Sequence, residues 1–124
     1  MKMNMNMKRS ESSEQILLIQ WCDVQSCKYP ELKMIFAIPN GGSRHKLEAI
    51  NLKRSGVKAG VPDLFLPRPN GKYHGLFIEM KYGKNKTTRN QDEWIKNLDK
   101  QGYKAVVCFG FEEAKEEILK YIAS

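Results

Sequence analysis

Two short apolar runs in the middle of the chain, separated by a segment rich in Pro, Asn and Gly, restrict the possible folds most. The runs cover residues 63–66 and 76–82, and Asn70-Gly71 lies between them. Alternating apolar residues on either side of an Asn-Gly pair are typical of a β-hairpin. The sequence therefore predicts two strands that pair in an antiparallel manner.

The rest of the hydrophobic pattern places helices and further strands around this hairpin. In the first helix, Leu17, Leu18, Trp21 and Val24 recur at helical spacing. The predicted elements are a helix over 12–28, a strand over 33–38, a helix over 43–55, strands over 63–66 and 76–82, a helix over 89–101, a strand over 104–109 and a helix over 112–122. The order α-β-α-β-β-α-β-α predicts an α/β fold with one mixed sheet flanked by helices. Residues 1–9 are expected to form a disordered basic tail, and 10–124 a single domain.

The composition favours a polyanionic partner in a reducing compartment. The chain has 21 basic and 14 acidic residues and a net charge of +7, which favours nucleic acid, although a merely soluble surface is the alternative. The three cysteines, Cys22, Cys27 and Cys108, are a poor match to zinc-binding spacing and are expected to be free thiols in the cytoplasm. The sequence contains no apolar run of the ~18 residues that a membrane span requires.

Carboxylates at facing positions of the hairpin are the main candidates for chemistry. Glu79 and Lys81 share one face of their strand because side chains alternate with period two. Asp63 begins the preceding strand and falls across from Glu79. Two opposed carboxylates lie ~5 Å apart at Cβ and repel each other unless a positive group lies between them. The alternative is that Asp63 is an ordinary turn residue and that Glu79 and Lys81 lie on a solvent-exposed strand face.

A divalent metal ion would relieve this repulsion. Asp63, Glu79 and the backbone carbonyl of Met80 would supply the oxygen ligands that Mg²⁺ or Mn²⁺ prefers. Lys81 would then orient the attacking water and offset charge on a phosphate. Glu14, on the apolar face of the first helix, is a further candidate ligand, or else an acid that stabilises the helix N-terminus.

An ordered set of residues along the chain resembles the VRR-NUC (virus-type replication-repair nuclease) family of the PD-(D/E)xK superfamily. The set is Glu14-Gln15, Gln20-Trp21, Pro39-Asn40-Gly41-Gly42, Ala49, Leu52-Lys53, Gly56, Gly60-Val61-Pro62-Asp63-Leu64, Glu79-Met80-Lys81, Gln91, Trp94 and Gly102.

The resemblance implies a restriction-endonuclease-like fold and metal-dependent cleavage of DNA phosphodiesters. For stand-alone viral members it implies homodimers that prefer branched DNA such as four-way junctions. Asp63, Glu79 and Lys81 match the catalytic motif of the family, Glu14 matches its helix-one acid, and Gln91 matches its glutamine near the site.

Basic residues near these motifs are candidate phosphate contacts, or else ordinary solvated positions. They are Arg44, Lys46, Lys53, Lys58, Lys84, Lys86 and Arg89. Most aromatic residues follow helical core spacing, which argues against a base-stacking platform. The amphipathic helices are all expected to use their apolar faces for the core, so the sequence predicts no interface residues. Alternatives to an active nuclease are a catalytically idle DNA-binding module on the same fold and an accessory protein without nucleic acid.

Overall fold

The computed structural model describes residues 8–40 and 45–124. Its elements are α1 (Glu11–Gln25), a 3-10 helix (Pro30–Met34), β1 (Phe36–Ala37), α2 (Lys46–Arg54), β2 (Leu64–Leu66), β3 (Leu76–Lys81), α3 (Arg89–Lys100), β4 (Lys104–Phe109) and α4 (Phe111–Ala123). The predicted order of helices and strands is confirmed, with the 3-10 helix as an addition. Residues 1–7 of the expected tail and residues 43–44 of the predicted second helix lie outside the described residues.

The segment predicted as a strand over 33–38 is mostly not a strand. Pro30 begins the 3-10 helix, since its fixed φ suits the first turn of a helix. This turn buries Leu32 completely in the core. Only Phe36 and Ala37 remain to pair with β2. The predicted strand was too long, because Lys33 and Met34 belong to the 3-10 helix and Ile35 and Ile38 lie outside β1.

The four strands form one sheet in the order β1-β2-β3-β4. β1 and β2 are antiparallel, β2 and β3 form the predicted antiparallel pair, and β3 and β4 are parallel. Asn70 closes the turn between β2 and β3, where its side-chain oxygen accepts hydrogen bonds from the backbone N–H groups of Lys72 and Tyr73. The mixed α/β architecture is consistent with a restriction-endonuclease-like fold.

The hydrophobic core lies on one face of this sheet. Strand residues such as Leu64, Ile78 and Met80 point to this face and are fully buried. They pack with residues of α1 and α4, among them Leu18 and Ile118. The opposite face of β3 carries Phe77, Glu79 and Lys81, so the candidate catalytic residues lie away from the main core.

Helix α2, like α3, has no buried side chain. Leu47 is 72% exposed and Ile50 is 45% exposed. The expectation that every amphipathic helix uses its apolar residues for the core is therefore wrong for α2. Within residues 8–40 and 45–124, no helix has the length and apolarity needed to cross a membrane.

Candidate active site

The register of the hairpin brings Asp63 and Glu79 to facing positions. Leu64 pairs with Ile78, so the next position in each direction sets Asp63 opposite Glu79. The backbone N–H of Met80 donates a 2.7 Å hydrogen bond to Oδ2 of Asp63. This bond turns the Asp63 carboxylate toward β3, and it holds the two acids together as the sequence predicts.

Burial and mutual repulsion make this pair of carboxylates hold a proton. Burial, the negative charge of Asp63 and a hydrogen bond with it raise the pKa of Glu79 to about 8. Burial also raises the pKa of Asp63, although its hydrogen bonds with Met80 and Glu79 oppose the shift. Because the two groups interact strongly, they titrate as a pair. At neutral pH the pair holds fewer than two negative charges when no cation is bound.

Two side chains position the carboxylate of Glu79. The Lys81 ammonium nitrogen lies 3.7 Å from Oε2 of Glu79, and both side chains are almost fully buried. Nε2 of Gln91 donates a 3.2 Å hydrogen bond to the same oxygen. The amide oxygen of Gln91 accepts from the backbone N–H of Thr88 in a capping box at the start of α3. The cap therefore fixes the orientation in which Gln91 meets Glu79.

Gly60 allows the loop before Asp63 to lie against the start of α3. Its φ is +91°, and a Cβ added there would lie 2.7 Å from Cβ of Asn90 and 2.9 Å from the Asn90 carbonyl carbon. A side chain at this position would collide with backbone, which cannot move without displacing the helix. The close approach thus couples the position of Asp63 to that of Gln91.

Glu14 lies on the buried face of α1, as expected, but the structure does not bring it to Asp63 and Glu79. Its carboxylate accepts bonds of 3.0 and 3.3 Å from the Arg9 guanidinium. It also accepts a 3.1 Å bond from the backbone N–H of Phe111, the first residue of α4. The hydrogen bond from Arg9 is the main cause that lowers the pKa of Glu14. These contacts make Glu14 a cap of α4.

Glu11 is the acid of α1 that faces the carboxylate pair, and the sequence reasoning missed it. Its negative charge raises the pKa of both Asp63 and Glu79. It lines a cavity of about 420 Å³ together with Asp63. Its carboxylate accepts a hydrogen bond from the side chain of Asn85, which follows β3. Glu11 and Gln15 both line this cavity. Their i, i+4 spacing places them on one face of α1, and this was the sequence signal that could have identified Glu11.

The comparisons with known proteins agree on one family. The sequence profile of the VRR-NUC domain matches residues 6–112 of this chain. The chain belongs to the VRR-NUC domain family. A solved structure described as a VRR_NUC domain protein is 36% identical, with a TM-score of 0.80, over 94% of this chain and 91% of that chain. No match was found among the curated proteins compared. The family is one of nucleases, so the VRR-NUC domain described here has a nuclease-type fold.

The candidate phosphate contacts of this VRR-NUC domain lie in two groups on exposed positions. Lys46, Lys53 and Lys58 lie on or just after α2. Lys84 and Lys86 lie in the loop that connects Lys81 to α3, and Arg89 begins α3, where it forms an ion pair with Glu93. Arg44 lies outside the described residues. The second group directly follows β3, the strand that carries Glu79 and Lys81, in the sequence.

The oxygen donors near Asp63 fit a hard divalent cation. Within the described parts of the chain, no cluster of three or more His, Cys, Asp or Glu side chains has a metal-binding arrangement. Mg²⁺, however, commonly binds proteins through one or two carboxylates and keeps several waters. The cavity beside Asp63 also contains Gln20, whose buried Oε1 has no hydrogen-bond partner in the described structure. A hydrated cation would relieve the repulsion that makes the two carboxylates hold a proton. The unsatisfied amide oxygen of Gln20 could accept a hydrogen bond from one of the waters of that cation.

Proposed function

We propose that this VRR-NUC domain is a divalent-metal-dependent endonuclease that hydrolyses DNA phosphodiester bonds. The observation that carries the proposal is the facing pair of the half-buried Asp63 and the buried Glu79, with the Lys81 ammonium 3.7 Å from Glu79. Two carboxylates that face each other in a partly buried position destabilise the fold. A cation-binding active site explains the presence of these two carboxylates. A surface that only binds phosphates does not, because carboxylates would repel the phosphates.

Asp63, Glu79 and the carbonyl of Met80 would hold Mg²⁺ or Mn²⁺. When bound, the ion would supply Lewis acidity toward the phosphate and lower the pKa of a water. Lys81 offsets the negative charge that grows on the phosphate oxygens during attack. Gln91 and the backbone N–H of Met80 each orient one carboxylate. Gln91 thus positions a metal ligand, whereas Met80 positions Asp63 through its N–H and would itself supply a ligand through its carbonyl.

DNA would be held by exposed cations, of which one group precedes Asp63 in the chain and the other follows Lys81. The net charge of +7 supports binding to a phosphate backbone. Lys84 and Lys86 lie in the loop after Lys81, and Asn85 in the same loop contacts Glu11. The proposal includes a preference for branched DNA such as four-way junctions. It also includes a reducing, cytoplasmic setting, which the free thiols of Cys22, Cys27 and Cys108 support.

The test of this function is incubation of the purified protein with labelled four-way junction, flap, single-stranded and duplex DNA. Each substrate is compared in Mg²⁺, Mn²⁺ and EDTA. The proposal expects cleavage with either metal, none with EDTA, and the fastest cleavage of the junction. Salt-sensitive binding without cleavage in any metal would instead support the catalytically idle DNA-binding module.

Glu11 and Glu14 are expected to have separable roles. Glu11→Gln should lower the cleavage rate about tenfold or more, since it removes a charge that faces the metal ligands. Glu14→Gln should leave the rate nearly unchanged at low temperature but lower the free energy of unfolding by about 1–2 kcal/mol, since α4 loses its charged cap. Cleavage assays and urea unfolding of the two variants measure these effects. The reverse pattern would assign the helix-one metal ligand to Glu14.

Homodimerisation is a further part of the proposal, and the exposed apolar residues of α2 support it. A symmetric pair would place two carboxylate sites on the two equivalent strands of a junction. Light scattering is expected to give about twice the 14.3 kDa monomer mass. Leu47→Lys should shift the mass to that of the monomer, whereas Val24→Lys, at a 44% exposed position of α1, should not. A wild-type protein that stays monomeric at micromolar concentration would refute the dimer.

A further inference from the structure

A row of aromatic side chains crosses the sheet, with one ring on each of β1, β2 and β3. Phe36 pairs with Phe65, and Phe65 pairs with Phe77. The Phe65 and Phe77 rings are stacked with centroids 4.2 Å apart, and Phe36 meets Phe65 edge to face at 5.8 Å. Tyr103, just before β4, contacts both Phe65 and Phe77. Helical spacing of most aromatic residues favours a core role over a stacking platform, but the rings of this row lie on paired strands.

The aromatic row and the carboxylate pair lie on the same face of the sheet. Phe65 is two residues after Asp63 on one strand, and Phe77 is two residues before Glu79 on the other. Side chains two apart on a strand point to the same face and are ~7 Å apart. The aromatic row therefore runs directly beside the two acids and extends past them to the edge strand β1.

The end of the row at Phe36 is open to solvent. Phe36 is 49% exposed, and the other three rings are partly exposed, so none of them belongs to the buried core. The edge-to-face contact with Phe65 orients the Phe36 ring but covers at most one of its two faces. The edge of the sheet therefore presents an aromatic face next to the site where a phosphate would be cut.

We propose that Phe36 stacks on an unpaired base of the DNA strand that enters the site. The proposal rests on the proposed nuclease function and specifies the part of the substrate that is recognised. Aromatic rings stack on any base, and each such contact contributes about 1–3 kcal/mol. The net charge of +7 draws the strand to the surface, and the aromatic row continues from the carboxylate pair toward β1. Duplex DNA offers no free base face along its length, so Phe36 favours flaps, gaps and branch points that contain an unpaired base.

The probe is DNA with 2-aminopurine at an unpaired position next to a duplex, measured in EDTA so that it is not cut. Wild-type protein is expected to quench the fluorescence of the unpaired base and to bind this DNA more tightly than the matching full duplex. Phe36→Ala should remove the quenching and weaken binding to the unpaired probe about tenfold or more, leaving the duplex affinity unchanged. Phe36→Trp should keep both properties. Phe36→Leu should lose both, since leucine keeps apolar volume without an aromatic face.

Met34→Ala is the matched control, because Met34 lies two residues earlier and is 46% exposed. It should bind both DNAs as wild type does. Equal affinities of wild type and Phe36→Ala for the unpaired probe, or full quenching by Phe36→Leu, would overturn the stacking proposal. Cleavage by the wild-type protein in Mg²⁺ would still support the nuclease function in that case. A monomeric mass for Phe36→Ala, with both DNA affinities lowered equally, would show that a second copy of the chain covers the ring. Wild-type protein that neither binds nor cuts any of these DNAs would overturn both proposals.

Discussion

Asp63→Ala and Glu79→Ala are each expected to lower the rate of metal-dependent DNA cleavage by about a thousandfold or more. A bound cation stabilises the charge of the transition state by several kcal/mol, and each 1.4 kcal/mol corresponds to a factor of ten in rate. Each variant removes one of the two carboxylates that the hairpin register sets opposite each other. The measurement is single-turnover cleavage of a labelled junction at saturating protein in Mg²⁺ and Mn²⁺.

Glu116→Ala is the matched control, because Glu116 is an exposed acid on α4. Its rate should equal that of wild type, which shows that a general change in net charge does not account for the loss. Isothermal titration with Mn²⁺ should show weaker metal binding in Asp63→Ala and Glu79→Ala. Wild-type activity in either of these two variants would refute the assignment of the metal ligands.

The same carboxylates should reduce the stability of the metal-free protein as the pH rises. The pKa of Glu79 is about 8 in the folded protein against an ordinary value of 4.5, so the folded state binds this proton more tightly than the unfolded state does. Its contribution to stability is fully present below pH 4.5 and is lost as the pH rises through 8. Glu79→Gln should remove this pH dependence, on the order of a few kcal/mol. Urea unfolding of both proteins in EDTA from pH 5 to 8 tests it.

Lys81→Ala is expected to lower the cleavage rate by about a hundredfold or more while metal binding survives. The Lys81 ammonium touches Glu79, yet the oxygen ligands belong to other groups. Loss of one charge that stabilises the transition state typically costs about 3–4 kcal/mol. Single-turnover rates at saturating Mn²⁺, together with titration of Mn²⁺ into the protein, separate the two effects.

Lys84→Ala provides the comparison for Lys81, since Lys84 is an exposed lysine three residues later. Lys84→Ala should lower the affinity for DNA and make this affinity less dependent on salt. It should not lower the cleavage rate at saturating protein. Lys81→Ala should do the opposite. If metal affinity falls together with the rate in Lys81→Ala, then Lys81 organises the carboxylates and does not act on the phosphate.

Local pattern was sufficient for the parts of the site that lie within one hairpin. The apolar alternation and the Asn70 turn predict the register, and the register alone sets Asp63 opposite Glu79 and puts Lys81 on the same face. Period-two geometry requires no information from the rest of the chain. The order of helices and strands followed for the same reason, since each element has its own periodicity.

Contacts between distant segments decided the rest. Whether Glu14 or Glu11 faces the acids depends on where α4 begins, because the N–H of Phe111 binds Glu14 and leaves Glu11 beside Asp63. The link from Gln91 to Glu79 depends on the close packing of Gly60 against Asn90. The aromatic row exists only once β1, β2 and β3 are paired. The sequence by itself determined which residues share a strand face, since that is a property of the local backbone. Only the tertiary structure decided which faces meet, because this depends on packing between elements that are far apart in the chain.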